Sequence, residues 1–284
     1  MVYIVTPVYN RKKFTKNYLF ALQKQTNQDF KVIIVDDGSI DGTSEMIEEE
    51  FPEVILLKEE GDLWWAESTN VGVRYALEHN ASYVMTLNDD TLPQEDYIEN
   101  MIRWSQKEPL ALLGAFAIDV MTNRSVFGGE VLNWKTEKYE NILDQLSLDE
   151  QVGLHEVNVF PGRGLLIPVK VFEDIGYYDS KNFPQTVADL DFTCRAYSSG
   201  YKIYCNYDAK IAIYTEESGG VDLVKNRSLK NYYKHLFGVR GGGNLKWFII
   251  FTVKNAPKKY LLQYLLVGLV KRIFMYPIRW LMGK

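Results

Sequence analysis

The stretch that most constrains this chain is a short apolar run that ends directly in acidic residues. Residues 84–87 have the apolar composition of a buried strand, and Asn88, Asp89 and Asp90 follow at once. Adjacent carboxylates are costly inside a sheet unless they hold a cation or stand at the mouth of the sheet. An Asx-type turn with two solvated carboxylates is the simpler alternative. In open α/β sheets, ligands bind at the carboxyl ends of the strands, where this stretch would place its acids.

Short apolar runs alternate with helix-length segments through the first third of the chain. Strands are predicted at residues 2–5, 31–35, 54–57 and 84–87. Helices are predicted at residues 11–24, capped by Asn10, from about residue 41, and at residues 66–79. This alternation predicts an α/β fold with a largely parallel sheet and helices on both of its faces.

Three polar loops follow the first, second and fourth of these strands, at residues 6–10, 36–39 and 88–90. Because parallel strands end at the same edge of a sheet, we expect the three loops to converge. The first turn contains neither a Gly-rich dinucleotide fingerprint nor a Walker A loop, which counts against NAD and ATP. Acidic residues in place of a Gly- or Lys-rich phosphate loop imply a bridging metal ion, and hard oxygen ligands suit Mg²⁺ or Mn²⁺.

Taken in order with several later segments, these loops resemble the family 2 glycosyltransferases. The segments that carry the resemblance lie at residues 6–10, 35–43, 61–66, 68–72, 87–91, 162–168, 171–176 and 189–192. Together these segments cover roughly residues 2–215. The chain is most similar to the bacterial rhamnosyltransferase-like branch that builds surface polysaccharides, and the paired tryptophans are part of that similarity. The resemblance implies an inverting enzyme of the GT-A fold, which has a Rossmann-like, mostly parallel central sheet flanked by helices and uses nucleotide-diphosphate sugars.

The resemblance also implies a nucleotide site, formed by Thr6, Pro7, Tyr9, Asp37, Asn70 and Asp89. Asp37 is similar to the carboxylate that accepts a hydrogen bond from the imide of the base. Uracil and thymine both present that imide, so the donor is expected to be a UDP- or dTDP-sugar. The alternative is that Asp36 and Asp37 only cap a turn. Asn70, near the start of its helix, is expected to face ribose or phosphate.

Residues 88–90 occupy the place of the family's Asp-x-Asp motif, with Asn88 as the first member. By the resemblance, Asp90 is the predicted metal ligand and would bind Mn²⁺ or Mg²⁺ that bridges to the diphosphate. Such an ion neutralises the charge that builds up on the leaving group. Asn88 in place of an Asp concerns the affinity for the metal ion, and the enzyme is still expected to use a metal ion.

The predicted sugar and acceptor region contains Trp64, Trp65, Arg163 and Gly164. The two tryptophans would stack on a sugar or a base, although a tryptophan pair is equally compatible with a packed core. Arg163 lies in a Gly-rich loop and would clamp a phosphate, or alternatively pair with a surface acid.

Inverting transfer needs a carboxylate that takes the proton from the acceptor hydroxyl. In the family this base is the Asp of a Glu-Asp pair, and here Ala188 replaces the Glu, so that Asp189 is the matching residue. Asp191 is the second candidate. Acids in the first turn of a helix also stabilise its dipole, which is a sufficient explanation for one of the two.

The last 62 residues, 223–284, differ in charge from the rest of the chain. They contain 13 basic and no acidic residues, whereas residues 1–222 contain 19 basic and 37 acidic ones, a net charge of −18. Their three apolar pieces, at 245–253, 260–270 and 273–282, fall short of the roughly 20 residues that cross a bilayer. This tail is therefore expected to form amphipathic helices on an anionic membrane surface. A helical cap on the catalytic domain and an oligomer contact are the alternatives, and nucleic acid is not an expected partner.

The predicted organisation is a GT-A catalytic domain at residues 1–222 followed by the membrane-associating tail at 223–284. Residues 1–105 would bind the nucleotide, and residues 106–222 would supply the acceptor site and the base. Cys194 and Cys205 lack metal or disulfide spacing, and without a signal peptide the expected location is the cytoplasmic side of a bacterial membrane.

The function predicted from these features is metal-dependent, inverting transfer of a sugar to a growing, lipid-linked cell-surface glycan. A non-catalytic glycan-binding or scaffold subunit with the same fold is the alternative from a different class. A sugar nucleotidyltransferase is less expected, because a Gly-rich loop bearing Arg or Lys would normally stand near the start. A homo-oligomer is compatible with the sequence.

Overall fold

A computed structural model describes residues 1–215 and 228–282 of the chain. The strands of the first half are β1 (Val2–Val8), β2 (Phe30–Asp36), β3 (Ile55–Lys58), β4 (Tyr83–Thr86), β5 (Thr91–Pro93) and β6 (Leu112–Asp119). The later strands are β7 (Ser125–Phe127), β8 (Glu130–Asn133), β9 (Lys138–Asn141), β10 (Leu154–Val157), β11 (Leu165–Pro168) and β12 (Ile203–Ile213).

The helices that flank the sheet are α1 (Lys12–Gln23), α2 (Thr43–Glu50), α3 (Trp64–Glu78), α4 (Tyr97–Lys107), α5 (Val169–Ile175) and α6 (Ala188–Ser198). The tail forms α7 (Leu229–Phe237), α8 (Leu245–Asn255) and α9 (Leu261–Leu281). Two short 3₁₀ turns lie at Ile142–Gln145 and Leu148–Glu150.

Ten of the described strands form one large mixed sheet, with eight of them in the order β10-β12-β6-β11-β4-β1-β2-β3, β5 paired with β12 and β7 paired with β6. Strands β4, β1, β2 and β3 run parallel to one another, and β6 runs parallel to β12. Strand β11 lies antiparallel between β4 and β6 and joins the two parallel groups. Strands β8 and β9 form a separate hairpin. The predicted α/β class is therefore confirmed, and the four predicted strands agree with β1 to β4.

The core explains why these strands are such continuous apolar runs. Six of the seven residues of β1 are at most 4% exposed, as expected for a parallel strand that is covered on both faces. Helix α3 lies close to β1 because Gly72 faces it, where an added Cβ would stand 2.4 Å from the Val5 side chain. The packing of α3 on β1 thus requires a residue without a side chain at this position.

The predicted capping of α1 by Asn10 is wrong. Asn10 adopts a left-handed conformation with φ 53°, and its Oδ1 accepts a hydrogen bond of 2.8 Å from the Ile40 backbone N–H. Asn tolerates that conformation better than most residues. Asp41 instead accepts a hydrogen bond of 3.0 Å from the Lys12 backbone N–H at the start of α1. The first helix is therefore capped by the neighbouring loop.

The tail differs most from its prediction. The pieces expected at 260–270 and 273–282 join into α9, a helix of 21 residues that includes Lys271, Arg272 and Pro277. The prediction that no segment reaches a bilayer-spanning length is therefore wrong. Within the described residues, α9 has the length and composition to cross a membrane. The mean hydropathy of its most apolar stretch is 1.4, and 17% of that stretch is buried inside the protein. The predicted domain boundary at 222/223 lies outside the described residues. Phe248, Phe251 and Tyr264 of the tail join the main core.

Candidate functional site

The three polar loops converge at one edge of the sheet, as predicted. The Asp37 backbone N–H donates to the Val8 carbonyl at 3.0 Å, which joins the first loop to the second. The Leu87 N–H donates to the Val5 carbonyl at 3.2 Å, which joins the residues directly before the first and the third loop. The residues that follow β1, β2 and β4 therefore surround one region at the carboxyl ends of these parallel strands.

Asp36 and Asp37 have different partners. Asp36 is buried and accepts hydrogen bonds from the Ser39 N–H at 2.9 Å and from the Ser44 hydroxyl, so it shapes the turn. Asp37 is 8% exposed and accepts from the N–H groups of Leu63, at 3.1 Å, and Trp64, at 3.0 Å. Each carboxylate oxygen can accept two hydrogen bonds, so Asp37 retains acceptor capacity for a base imide.

Two predicted nucleotide residues have their side chains engaged inside the protein. The Thr6 hydroxyl is fully buried, 2.7 Å from the Tyr18 hydroxyl. The Asn70 amide donates to the Tyr178 carbonyl at 2.9 Å and accepts from the Tyr178 N–H at 3.0 Å. Asn70 thus fastens a distant segment to α3, in contrast to the expected orientation toward ribose or phosphate. Tyr9, by comparison, is 51% exposed.

The two adjacent acids of the third loop separate in the structure. Asp89 is 4% exposed, lies 2.9 Å from the Arg11 Nε and accepts from the Thr15 hydroxyl at 3.1 Å. Burial raises the pKa of Asp89 to about 6, against the lowering effect of the Arg11 charge. Asp90 is half-buried, with Oδ2 3.4 Å from Arg11 Nη2. Asp89 therefore anchors the loop. The sequence analysis predicts instead that Asp89 binds the nucleotide.

Arg11 is a residue that the sequence analysis missed. Its guanidinium bridges Asp89 and Asp90 and lies 4.5 Å from the centroid of the Phe14 ring. An arginine that directly follows the first ligand-facing loop was the available signal, but its partners are almost 80 residues away in the sequence.

Asp90 is a candidate metal ligand with few neighbouring protein donors. Within residues 1–215 and 228–282, no group of three or more His, Cys, Asp or Glu side chains is arranged to hold a metal ion. This donor set still fits Mg²⁺ or Mn²⁺ bound together with a nucleotide diphosphate. Mg²⁺ commonly takes one or two carboxylates, substrate phosphate oxygens and several water molecules.

Trp65 connects three parts of the site. Its Nε1 donates to Asn88 Oδ1 at 3.0 Å, and its ring packs edge-to-face on Tyr178 with the centroids 5.2 Å apart. A Cβ on Gly162 would lie 2.4 Å from the Trp65 ring, so this glycine admits the indole. Trp64 differs, since its half-buried ring lies 6.0 Å from the Arg240 guanidinium. Packing accounts for the position of Trp65 more directly than a stacking role.

Arg163 lies among three carboxylates. Burial lowers its pKa, while the charges of Asp90, Asp189 and Glu130 raise it. Its Nε is buried and has no hydrogen-bond partner among the described residues, and its guanidinium lies 5.6 Å from the centroid of the Phe127 ring. Arg163 therefore lies close to these carboxylates, and its role in clamping a phosphate stays a prediction. A buried, unsatisfied donor of this kind is suited to an anionic oxygen.

Glu130 in β8 is a second residue that the sequence analysis missed. It is half-buried, and burial raises its pKa while the Arg163 charge lowers it and the Asp189 charge raises it. A backbone bridge to Val159 brings β8 beside the segment that leads to Arg163. Nothing local to residues 128–133 signals this placement, because the hairpin reaches the site only through tertiary packing.

Asp189 and Asp191 begin α6 but face different surroundings. Asp189 is partly exposed and accepts from the N–H groups of Gly162, at 3.0 Å, and Leu190, at 2.9 Å. Burial raises the pKa of Asp189, and these amides together with the Arg163 charge oppose the rise. Asp189 is thus a carboxylate that lies beside the Gly-rich loop and Arg163.

Asp191 is fully buried, and both of its oxygens are occupied. It lies 2.9 Å from Arg195 Nε and 3.0 Å from Lys254 Nζ, and it accepts a hydrogen bond of 2.9 Å from the Asn255 amide. Lys254 and Asn255 belong to α8. Asp191 therefore holds the tail helix against α6, and this arrangement favours Asp189 as the residue available for proton transfer.

Gly164 has a backbone role. Its φ of +76° lies in the region that favours glycine, and an added Cβ would stand 2.7 Å from the Ala115 Cβ. Its N–H donates to the Thr86 carbonyl and its own carbonyl accepts from the Ala115 N–H, both at 2.8 Å. Gly164 thus lets the loop carrying Arg163 enter the sheet between β4 and β6.

The comparisons with known proteins agree on one family of enzymes. A family model described as Glycosyl transferase family 2 matches residues 3–176. Glycosyltransferase GlyG of Streptococcus pneumoniae serotype 4 is 23% identical over 57% of this chain and 61% of that protein. An uncharacterized glycosyltransferase of Haemophilus influenzae is 32% identical over 38% of this chain and 36% of that protein. The poly-beta-1,6-N-acetyl-D-glucosamine synthase of Staphylococcus epidermidis is 26% identical over 63% and 42%, respectively. The chain thus spans less than two thirds of the length of each relative.

Solved structures share the fold. S. aureus TarS 1–349 superposes with a TM-score of 0.59 at 15% sequence identity, over 100% of this chain and 92% of that chain. The same fragment in complex with UDP-GlcNAc gives a TM-score of 0.60, also at 15% identity. At this identity the likeness concerns the fold, and it confirms the predicted GT-A architecture.

Proposed function

Because the chain belongs to glycosyl transferase family 2, we propose that it transfers a sugar from a UDP- or dTDP-sugar to a glycan. The complex of a structural neighbour with UDP-GlcNAc favours UDP as the first nucleotide to test. Rhamnosyl transfer, suggested by the sequence resemblance, is one of the hexosyl transfers that this site would serve. The proposed acceptor is a growing, lipid-linked cell-surface glycan.

The observation that carries this proposal is the convergence of Asp90 and Asp189 on Arg163. The charges of both carboxylates raise the pKa of the Arg163 guanidinium. Asp90 lies between β4 and β5, whereas Asp189 lies at the start of α6. A carboxylate on the metal side and a carboxylate on the proton-transfer side are the two groups that inverting transfer requires. Arg163 between them supplies positive charge for a phosphate or sugar oxygen.

The proposed roles follow from the partners of each side chain. Asp37 accepts a hydrogen bond from the base, and the exposed Tyr9 lies over the base or ribose. Asp90 would hold Mn²⁺ or Mg²⁺, and the bound ion would supply positive charge against the departing diphosphate. Asp189 takes the proton from the acceptor hydroxyl as that oxygen attacks the anomeric carbon. The bond to the nucleotide diphosphate breaks in the same step, so the anomeric configuration is inverted.

A test of this proposal is thermal stabilisation of the purified chain by UDP, dTDP and GDP, with and without Mn²⁺. A ligand that binds only the native state raises the melting temperature by mass action. We expect a shift with UDP or dTDP that needs Mn²⁺ and is lost in Asp90→Ala. The matched control is Asp29→Ala, which removes an exposed aspartate and should leave the shift unchanged.

The alternative of a non-catalytic scaffold makes a different prediction in the same experiment. If no nucleotide stabilises the chain under any condition, the glycosyltransferase proposal fails and the scaffold function is favoured. An equally large shift of the melting temperature with GDP would contradict the proposal that Asp37 binds the imide of a pyrimidine base. Turnover of any nucleotide sugar by the purified protein would exclude the scaffold.

A further inference from the structure

Helix α9 has two apolar faces on opposite sides. Tyr264, Gly268 and Tyr276 are buried on its inner face, whereas Leu262, Leu266, Val270 and Phe274 are 65%, 56%, 57% and 53% exposed. The two sets are offset by two residues, which corresponds to about 200° around a helix. The four exposed residues, spaced four apart, form one continuous stripe, which we call the outer stripe. A stripe of this kind is unusual on a water-exposed surface.

The inner face is fully used by packing within the chain. The Tyr264 ring lies 5.7 Å from the Phe248 ring, and an added Cβ at Gly268 would stand 2.1 Å from that same ring. The Tyr276 ring stacks on Tyr232 of α7 with the centroids 5.1 Å apart. The outer stripe is therefore not needed to hold α9 in place.

Ionic contacts fasten α9 to the turn between β8 and β9. Glu137 is 7% exposed and lies 2.8 Å from Lys271 Nζ and 2.6 Å from Arg272 Nη1. Lys271 Nζ also donates to the Glu137 carbonyl at 2.7 Å, and the Gln263 amide donates to the Lys135 carbonyl at 2.9 Å. A helix crossing a bilayer would have to break these contacts or carry them into hydrocarbon, where charged groups are expensive. The contacts thus favour a helix that lies flat.

Exposed basic residues lie near the outer stripe in the sequence. Lys258 and Lys259, both exposed, come just before Tyr260 and the start of α9, and on α8 the exposed Lys246, Ile249 and Val253 share one side at helical spacing. No acidic residue follows Asp222 in the sequence. An anionic surface complements this charge. A second copy of the chain would instead bring basic residues against basic residues, which is unfavourable.

From these observations we propose that the outer stripe of α9 docks on an anionic lipid bilayer, with the helix lying parallel to the surface. Leu262, Leu266, Val270 and Phe274 enter the interface, and the neighbouring lysines contact lipid phosphates. The inner face and the Glu137 contacts keep the catalytic fold attached above the membrane. This docking surface goes beyond the proposed sugar transfer and does not require it.

The test is flotation of the full chain with vesicles of phosphatidylcholine alone and with vesicles that also contain phosphatidylglycerol. We expect flotation with the anionic vesicles, a decrease at high salt, and release by alkaline carbonate. The triple variant Leu262→Ser, Leu266→Ser, Val270→Ser should lower the membrane partition coefficient about tenfold or more. The matched control is Leu110→Ser, Met121→Ser, Leu148→Ser, which changes three apolar residues elsewhere that are at least as exposed as Leu266.

A second measurement does not depend on the triple variant. Leu266→Cys can be labelled selectively with an environment-sensitive dye, since Cys194 and Cys205 are both buried. Its emission should shift to the blue with anionic vesicles, whereas the same dye at Met121→Cys should not respond. Thermal stabilisation by UDP without vesicles, measured on each variant, reports donor binding separately from docking.

Three results would overturn the proposal. Equal flotation of the triple variant and its control would show that the outer stripe does not dock. Resistance to carbonate would show that α9 crosses the bilayer. A dimer in light scattering that the triple variant abolishes, without any flotation of the unmodified chain, would assign the stripe to a second copy.

Discussion

Trp65 donates a hydrogen bond of 3.0 Å from its indole Nε1 to Oδ1 of Asn88. The same indole packs against Gly162, whose N–H donates to Asp189 at 3.0 Å. The acidic loop after β4 and the first turn of α6 are therefore connected through one side chain. The connection gives Asn88 a positional role at the first place of the acidic motif.

A double-mutant cycle tests this connection. Trp65→Phe removes the donor and Asn88→Ala removes the acceptor, and each leaves a partly buried polar group without its partner. We expect each single variant to lose about 1–3 kcal/mol of unfolding free energy, and the double variant to lose less than the sum. Urea unfolding of the four proteins measures the coupling. Strict additivity would mean that the hydrogen bond contributes nothing to the fold.

The two acids of α6 should separate function from stability. Asp189→Asn is expected to lower kcat by about 10²–10⁴-fold with donor binding retained, because it removes the general base and keeps the shape. Asp191→Asn should instead cost about 3 kcal/mol of stability, since it leaves Arg195 and Lys254 without their buried partner. Turnover with a nucleotide sugar and urea unfolding distinguish the two. A larger loss of kcat in a stably folded Asp191→Asn would reverse the assignment.

The pH dependence of kcat/KM should report the ionisation of Asp189. A general base works only when deprotonated, so activity rises with pH through its pKa and then levels off. Because burial raises the pKa of Asp189 while the Arg163 charge lowers it, Arg163→Met should move the rise to higher pH. Arg124→Met, which removes an exposed arginine, is the control and should leave the midpoint unchanged. A downward shift in Arg163→Met would contradict this electrostatic relationship.

We expect Asp89 to make the protein less stable as the pH rises from acidic values towards neutral. Its pKa is raised from 3.8 to about 6 in the fold, so the folded state binds the proton more tightly than the unfolded state. The stabilisation from protonated Asp89 is fully present below pH 4 and is lost as the pH rises through 6. Its amplitude is about 3 kcal/mol, from about 1.4 kcal/mol per pKa unit.

Asp89→Asn removes this titration and tests its size. The difference in unfolding free energy between the variant and the unmodified chain should change by about 2.4 kcal/mol between pH 4 and pH 7, in favour of the variant at pH 7. Urea unfolding at several pH values measures it. Parallel stability profiles of the two proteins would show that Asp89 keeps the same pKa in both states.

The sequence by itself determined the elements and the edge of the sheet where they meet. Strands β1 to β4 follow from short apolar runs, and helices α1 and α3 follow from apolar periodicity; both signals depend on residues only a few positions apart. The convergence of the loops after β1, β2 and β4 follows as well, because the carboxyl ends of parallel strands share one edge. The positions of Asp37 and Asp90 at this edge thus needed only local patterns and a topological rule, whereas Asp189 was predicted from the resemblance to the family.

Only the tertiary structure decided which polar side chains face the site and which hold the protein together. Asn70, Asp89 and Asp191 carry the same chemical groups as binding residues, but partners distant in sequence occupy them. Arg11 bridges the acidic loop, and Glu130 comes beside Arg163 through a hairpin. Lys271 and Arg272 interrupt the apolar pattern of the tail, yet both form ion pairs with Glu137, and α9 continues as one helix. Such pairings depend on contacts between distant segments, which local periodicity does not encode.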